Sequence, residues 1–238
     1  MGLLEKILRK KKSPKLSKEH LLAGDLESIE LGLRFSMSSW ERLYANIQAV
    51  RYIVNAGLEG DIVECGVWRG GSMMTMAQTL INLGETDRNL HLYDTFSGMS
   101  APVKEDGDFA IRKFDQLKTG DDQSDWCCAK LEEVRSNLSQ VCYPNENLNF
   151  ILGKVEDSIP HNLPEKIALL RLDMDWYEPT RHAMLHLFPR VCSRGVLIID
   201  DYGHWEGCRE AVDETLNEMG VHLLLNRTDY TGRIAIKP

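Results

Sequence analysis

The sequence contains no apolar run approaching the roughly 20 residues that cross a bilayer as a helix, which excludes a helical membrane span. Its six cysteines (Cys65, Cys127, Cys128, Cys142, Cys192 and Cys208) include no C-x-x-C pair and are too sparse for a disulfide scaffold. With no signal peptide ahead of them they read as reduced thiols of a cytoplasmic protein, Cys65 and Cys192 as small core residues. Positive charge is in deficit: 28 Lys and Arg stand against 36 Asp and Glu, a formal charge of −8. An acidic surface repels phosphate backbones, so the expectation is no nucleic-acid partner. Internal repeats are absent. What is present, 43% hydrophobic and 27% charged residues over 238 positions, fits one sizeable α/β domain with a packed core.

The charge is unevenly placed. Residues 1–20 carry seven cations against Glu5 and Glu19, and Leu3, Leu4, Ile7 and Leu8 can line one face of a short helix. The chain therefore divides into a basic arm, 1–34, and a main domain, 35–238. The arm reads either as a solvated terminus or as a weak contact for an anionic membrane surface. N-myristoylation is excluded by Lys6, where Ser or Thr is required.

From Ser38 to Gly57 apolar residues recur at helical spacing (Trp40, Leu43, Tyr44, Ile47, Val50, Ile53, Val54), with Ser38 or Ser39 as N-cap. Residues 61–67 are a β-rich run ending at a glycine turn, followed by a Met-, Ala- and Leu-rich helix to about Leu83, the opening of a βαβ unit. Further strands are expected at 90–96, 148–153, 167–173 and 195–200, with helices near 128–140, 178–189 and 206–219. Residues 221–225 and 233–237 flank a turn-rich joint and predict a terminal antiparallel hairpin. Near-continuous apolar strands call for a sheet covered on both faces. The least regular stretch, 97–127, reads as a long functional loop or lid.

Ligands of open parallel sheets bind beyond the carboxyl ends of the strands, and every strand here ends in polar residues. The first gives Glu64 and Gly66 with Gly70 and Gly71, the second Asp94, the third Gly153 with Glu156 and Asp157. The fourth gives Asp173 and Asp175, the fifth Asp200 and Asp201. The glycine turn, Glu64-Cys-Gly66-Val-Trp-Arg-Gly70-Gly71, is not the dinucleotide G-x-G-x-x-G, which leaves a dehydrogenase unsupported. Its tightness implies a ligand passing close to the backbone. A carboxylate placed as Asp94 is suits two ribose hydroxyls, so the pattern suggests a nucleoside without a diphosphate, which S-adenosylmethionine satisfies. Asp173, Asp175, Asp200 and Asp201 would form an oxygen-rich pocket whose repulsion calls for a cation such as Mg2+. The opposing reading has Asp200 and Asp201 capping the following helix while Asp175 pairs with Arg171 or Arg181.

Residues 63–72, 92–96, 172–177 and 199–204, with Glu41-Arg-Leu-Tyr44 upstream, resemble the macrocin/mycinamicin sugar O-methyltransferase family over about 35–215. The resemblance implies a seven-stranded, mostly parallel doubly wound sheet of the S-adenosylmethionine methyltransferase type, Mg2+, and methylation of a hydroxyl on a sugar or deoxysugar. It implies cofactor contacts at Glu64, Gly66, Asp94, Gly153, Glu156 and Asp157, with Gly70 and Ser72 of the glycine turn, and Met37 closing over. It sets metal on Asp173, Asp200 and Asp201 and the general base at Asp175. His204 is a rival base or a substrate contact, and Trp176, Tyr177 and Tyr202 are candidates for lining the acceptor pocket. A glycosylated small molecule is the expected partner, and a homo-oligomer the expected assembly. The alternatives are methylation of a vicinal diphenol, which would chelate Mg2+ through the same two oxygens, and a non-catalytic binding protein held at a membrane by the arm.

Overall fold

A computed structural model describes residues 21–238, so the stripe expected within residues 3–8, and the membrane contact built on it, lie outside the described residues. Inside the segment read as an arm, Asp25–Leu33 form a helix, α1. Asp25 accepts from Arg51 (2.7 Å) and the Ser28 carbonyl from Thr75 Oγ1 (3.2 Å). Gly32 permits the approach, since a Cβ there would meet Thr75 Oγ1 at 2.1 Å. These residues pack as part of the folded body; nine residues with a glycine at the contact give too short a pattern to stand out beside the basic run.

Helix α2 (Trp40–Asn55) begins at Ser39, whose Oγ accepts from the Arg42 amide (3.2 Å), a cap of about 1 kcal/mol. The βαβ opening is β1 (Asp61–Cys65), α3 (Gly71–Asn82) and β2 (Leu90–Asp94). The stretch 97–127 is not a loop. It holds a one-turn 3-10 helix (Lys104–Asp106), α4 (Gly107–Leu117) and a hairpin of β3 (Lys118–Gly120) with β4 (Gln123–Ser124). Then follow α5 (Leu131–Leu138), β5 (Leu148–Leu152), α6 (Val155–Ser158), β6 (Ile167–Leu172), α7 (Tyr177–Leu187), β7 (Val191–Ile199), α8 (Glu206–Glu218), β8 (Asn226–Arg227) and β9 (Arg233–Ile236).

The main sheet has seven strands in the order β5-β2-β1-β6-β7-β9-β8, the first five parallel and β9 antiparallel to both its neighbours. The terminal hairpin is present, but its first limb is Asn226–Arg227, within the expected joint. Val221, Leu223 and Leu225 pack partly buried against the α7–α8 face without a strand partner, because the four residues of β9 pair with β7 and β8 alone. Alternation along β1 and β6 sends Ile62 and Leu169 to a core with α2, α3 and α5, and Val63, Cys65, Leu170 and Leu172 to a core with α7 and α8. Cys65 is buried, whereas Cys192 near the start of β7 is only half-buried, which corrects its assignment to the core.

The 97–127 module is pinned by a buried carboxylate. Asp106 accepts from the amides of Val103 (2.8 Å) and Tyr177 (2.7 Å), satisfying an amide at the start of α7, whose N-cap Trp176 offers no side-chain bond. Gly207 leaves room for it, as a Cβ there would meet Asp106 Oδ1 at 2.0 Å. Replacing Asp106 with Ala orphans both amides at a cost of about 1–3 kcal/mol. Amide exchange should then accelerate across residues 103–117 while β1 and β6 stay protected; uniform acceleration would contradict the pin.

Candidate active site

A cavity of about 440 Å3 opens at the carboxyl ends of the parallel strands, where the strand order reverses at β1. Met37, Glu64, Gly66, Ser72, Asp94, Gly153, Glu156, Asp173, Asp175, Asp200, Asp201 and His204 all line it. Gly70 and Asp157 do not. Gly70 enters α3 in the left-handed region (φ +91°) facing Leu138, and Asp157 is exposed on α6.

On one side lies the glycine turn. Gly66 has φ +81°, and a Cβ on it would meet the Asp173 carbonyl oxygen at 1.8 Å. One close approach at this turn is thus made by the protein's own chain at the end of β6, while Gly66 also borders the cavity. Asp94 likewise serves the turn: Oδ2 accepts from the amides of Val67 (2.7 Å) and Trp68 (2.9 Å), and Oδ1 from Phe96 (2.7 Å). Burial raises the Asp94 pKa against the pull of these amides. Gly153 has φ +122° with nothing within 4 Å of its would-be Cβ, so the backbone lies open to a ligand there. Met37, 62% exposed, stands at the rim.

On the other side lie the carboxylates. Register sets Glu64 opposite Arg171 on adjacent parallel strands, and the buried pair meets at 2.6 Å. Two positions on, just past the end of β6, Asp173 receives the same guanidinium at 2.8 Å, and Asp200, just past β7, receives its other terminal nitrogen at 2.5 Å. Asp173, Asp200 and Asp201 each present an oxygen within 4.8 Å of the others. Asp201 is 7% exposed and its Oδ2 has no hydrogen-bond partner among the described residues. A buried, unpartnered carboxylate oxygen among two further carboxylates suits a hard divalent cation. Asp200 also accepts from Arg42, which reaches in from α2 and touches Asp229 Oδ2 (3.1 Å) and the Met37 carbonyl (3.2 Å).

The capping alternative is not what forms: α8 is N-capped at Trp205 with no side-chain bond, and Arg181 pairs with Glu218. Nor does Asp175 reach the site by strand alternation, since β6 stops at Leu172. A left-handed turn at Asp175 itself (φ +62°) brings it into the cavity, where Trp205 Nε1 donates to it. Burial and then the Asp173 charge push the Asp175 pKa up to about 7. Burial lifts Asp200 to about 6 and Glu64 to about 8, Arg171 opposing both, and raises Asp201 well above the carboxylate range.

Sequence reading missed the aromatic wall. Trp126, Trp176 and Trp205 form an edge-to-face cluster with centroids 5.0–6.1 Å apart. Phe109 from α4 stacks on Trp205 at 6.0 Å, and the His204 ring packs on Trp205 at 4.8 Å. Trp176 thus lines the cavity as expected. Tyr177 and Tyr202 do not, their hydroxyls turning to Glu214 (2.6 Å) and Asp213 (2.8 Å). Phe109 and Trp126 gave no signal because only the folded path of 97–127 brings them to the site, whereas Arg42 sat unassigned inside the Glu41–Tyr44 motif.

The sequence profile of the macrocin O-methyltransferase (TylF) family matches residues 10–235. The chain is 33% identical over 188 residues to the 8-demethyl-8-(2,3-dimethoxy-alpha-L-rhamnosyl)-tetracenomycin-C 4'-O-methyltransferase of Streptomyces olivaceus, covering 79% of this chain and 70% of that protein. It is 31% identical over 186 residues to the mycinamicin III 3''-O-methyltransferase of Micromonospora griseorubida, covering 78% and 72%. Among solved structures it is similar to the O-methyltransferase NovP, with a TM-score of 0.77 at 28% identity over 85% of this chain and 82% of that one.

Gly66→Ala sets the turn against the Asp173 carbonyl and takes up an unfavourable φ, together about 2–4 kcal/mol of lost stability. Urea unfolding checks this, and a wild-type midpoint would refute the packing role given to Gly66.

Proposed function

The chain belongs to the macrocin O-methyltransferase family, and from that premise we propose that it transfers a methyl group from S-adenosylmethionine, with Mg2+, to a hydroxyl of a sugar carried on a larger apolar molecule. The observation carrying this reading is the convergence of Asp173, Asp200 and Asp201, one oxygen of Asp201 unpartnered, beside Asp175 in a cavity that also holds the glycine turn.

In this reading Asp173, Asp200 and Asp201 hold the cation, while Gly66, Ser72, Asp94, Gly153 and Glu156 border the methyl donor under Met37. A divalent cation at that place supplies a Lewis acid that makes a bound hydroxyl acidic. Asp175 accepts the hydroxyl proton; burial raises its pKa and makes it a stronger base than an ordinary carboxylate. Trp205 fixes one of its oxygens, and the wall of Trp126, Trp205 and Phe109 packs on the apolar part of the acceptor, aligning oxygen and methyl for in-line displacement. His204, packed on that wall, serves as a substrate contact.

The charge of the cavity narrows the acceptor. Among the described residues its two lining cations are already engaged, Arg42 by Asp200 and Asp229, Lys154 by Asp122 (2.6 Å). A nucleotide-activated sugar would set its diphosphate among carboxylates, so the sugar is methylated after glycosyl transfer. The curated relatives are named for acceptors of that kind, a rhamnosyl tetracenomycin and a mycinamicin. A vicinal diphenol offers two adjacent oxygens and a flat ring to the same wall, and is the competing acceptor.

Two measurements decide. With labelled methyl donor, glycosides of flat or macrocyclic aglycones should be methylated, nucleotide sugars should not, and chelator should abolish a turnover that Mg2+ restores. Undiminished turnover in chelator, or a strong preference for diphenols, would overturn the reading. Asp175→Asn should lower kcat by about 10²–10⁴-fold with donor affinity within about twofold of wild type; a wild-type kcat would remove Asp175 as base.

A further inference from the structure

Two guanidinium groups hold Asp200, and their surroundings give them opposite roles. Arg171 is 1% exposed, with Glu64, Asp173, Asp200 and Ser38 as its partners at 2.6, 2.8, 2.5 and 3.3 Å. Its backbone lies in β6 between β1 and β7, and its counter-charge Glu64 is as buried as it is. It has no second place to go. Arg42 projects from a helix, is more exposed, and already shares itself between Asp200, Asp229 and the Met37 carbonyl. It can give up Asp200 and remain paired.

We propose that Arg171 is a positioning residue for the cation-binding carboxylates, and that Arg42 is a displaceable occupant of the same site. The proposal rests on the cation reading given above. Through one planar fork Arg171 engages Oδ2 of Asp173 and Oδ1 of Asp200, which fixes the orientation of two carboxylates and leaves Oδ1 of Asp173 and Oδ2 of Asp200, the latter held by Arg42, outside the fork. Partners behind metal ligands act in this way, and their loss commonly costs about 10–100-fold in metal affinity. Lysine cannot substitute, since one ammonium on a flexible stem does not span Glu64, Asp173 and Asp200 together. A purely electrostatic role has the opposite sign, because removing a positive charge beside a cation site would tighten it.

The test is Mn2+ binding to the full chain, followed by loss of the free-ion electron paramagnetic resonance signal, without donor or acceptor. Wild type should bind; no binding would defeat the cation reading, and this proposal with it. Given wild-type binding, Arg171→Lys, which keeps the charge, should weaken Mn2+ by about 10–100-fold, and Arg171→Gln should weaken it too. Arg42→Gln should bind as wild type or more tightly. Unchanged or tighter binding by both Arg171 variants, or equal weakening by Arg42→Gln, overturns the proposal. Should the Arg171 variants lack a cooperative thermal transition, Glu64→Ala removes the far anchor of the guanidinium without touching a cation ligand. It should cost about tenfold, and wild-type affinity there would count against the proposal.

Discussion

The site depends on one buried guanidinium. Glu64, Asp173 and Asp200 lie on one side of the sheet because β1, β6 and β7 run parallel in fixed register, and Arg171 lies among them. Carboxylates taken from water at this density repel one another and lose hydration, a combination tolerated only where an internal cation and hydrogen bonds compensate. The ion pair therefore links register to electrostatics. A slip of one residue between β1 and β6 would send Glu64 and Arg171 to opposite faces, leaving Glu64 a buried charge without its partner. The apolar neighbours on those strands pack well in only one register for the same reason, so core and site specify each other.

The rest of the fold serves to bring polar groups to this point. Gly66 lets the turn after β1 meet the Asp173 carbonyl, and Asp94 ties that turn to the end of β2. The antiparallel β9 sends Thr231 to the Asp200 carbonyl (2.8 Å), while Asp229 accepts from Ser39 Oγ (2.8 Å) at the start of α2. Segments from near both ends of the described chain thus close on the carboxylates, and the terminal hairpin, peripheral in the sheet order, reaches the site directly.

The parallel order and both helical layers were legible because apolar runs separated by glycine turns leave little freedom in an open α/β sheet. The carboxylates were legible because a parallel sheet exposes its strand ends to one crevice. Asp94 was legible as a cavity residue, but its bonds to the glycine turn were not, since nothing in a sequence says that the turn after β1 will present two amides to it. Phe109 and Trp126 were illegible because their relevance comes from a path of helix and hairpin set by Asp106 and by Gly98, whose would-be Cβ would meet the Ser124 carbonyl oxygen at 1.8 Å, where local pattern shows only charge and glycine. Arg171 was read as a simple partner of an aspartate; its hub role follows from register, which is a property of pairs of strands.

Charge then shapes the reaction on the proposed function. Among the described residues seven carboxylates line the cavity against Arg42 and Lys154, with Arg171 behind them. Such a field draws in a divalent cation and a sulfonium donor and repels anionic acceptors. Burial resists full ionisation, which is why Glu64, Asp175, Asp200 and Asp201 all sit above the ordinary carboxylate range before any cation arrives. Methyl transfer removes the positive charge of the donor, leaving a neutral thioether where a sulfonium lay. The attraction that assembled the reactants is thereby weakened at the moment the product forms, so the carboxylates that gather the donor also favour its replacement once spent.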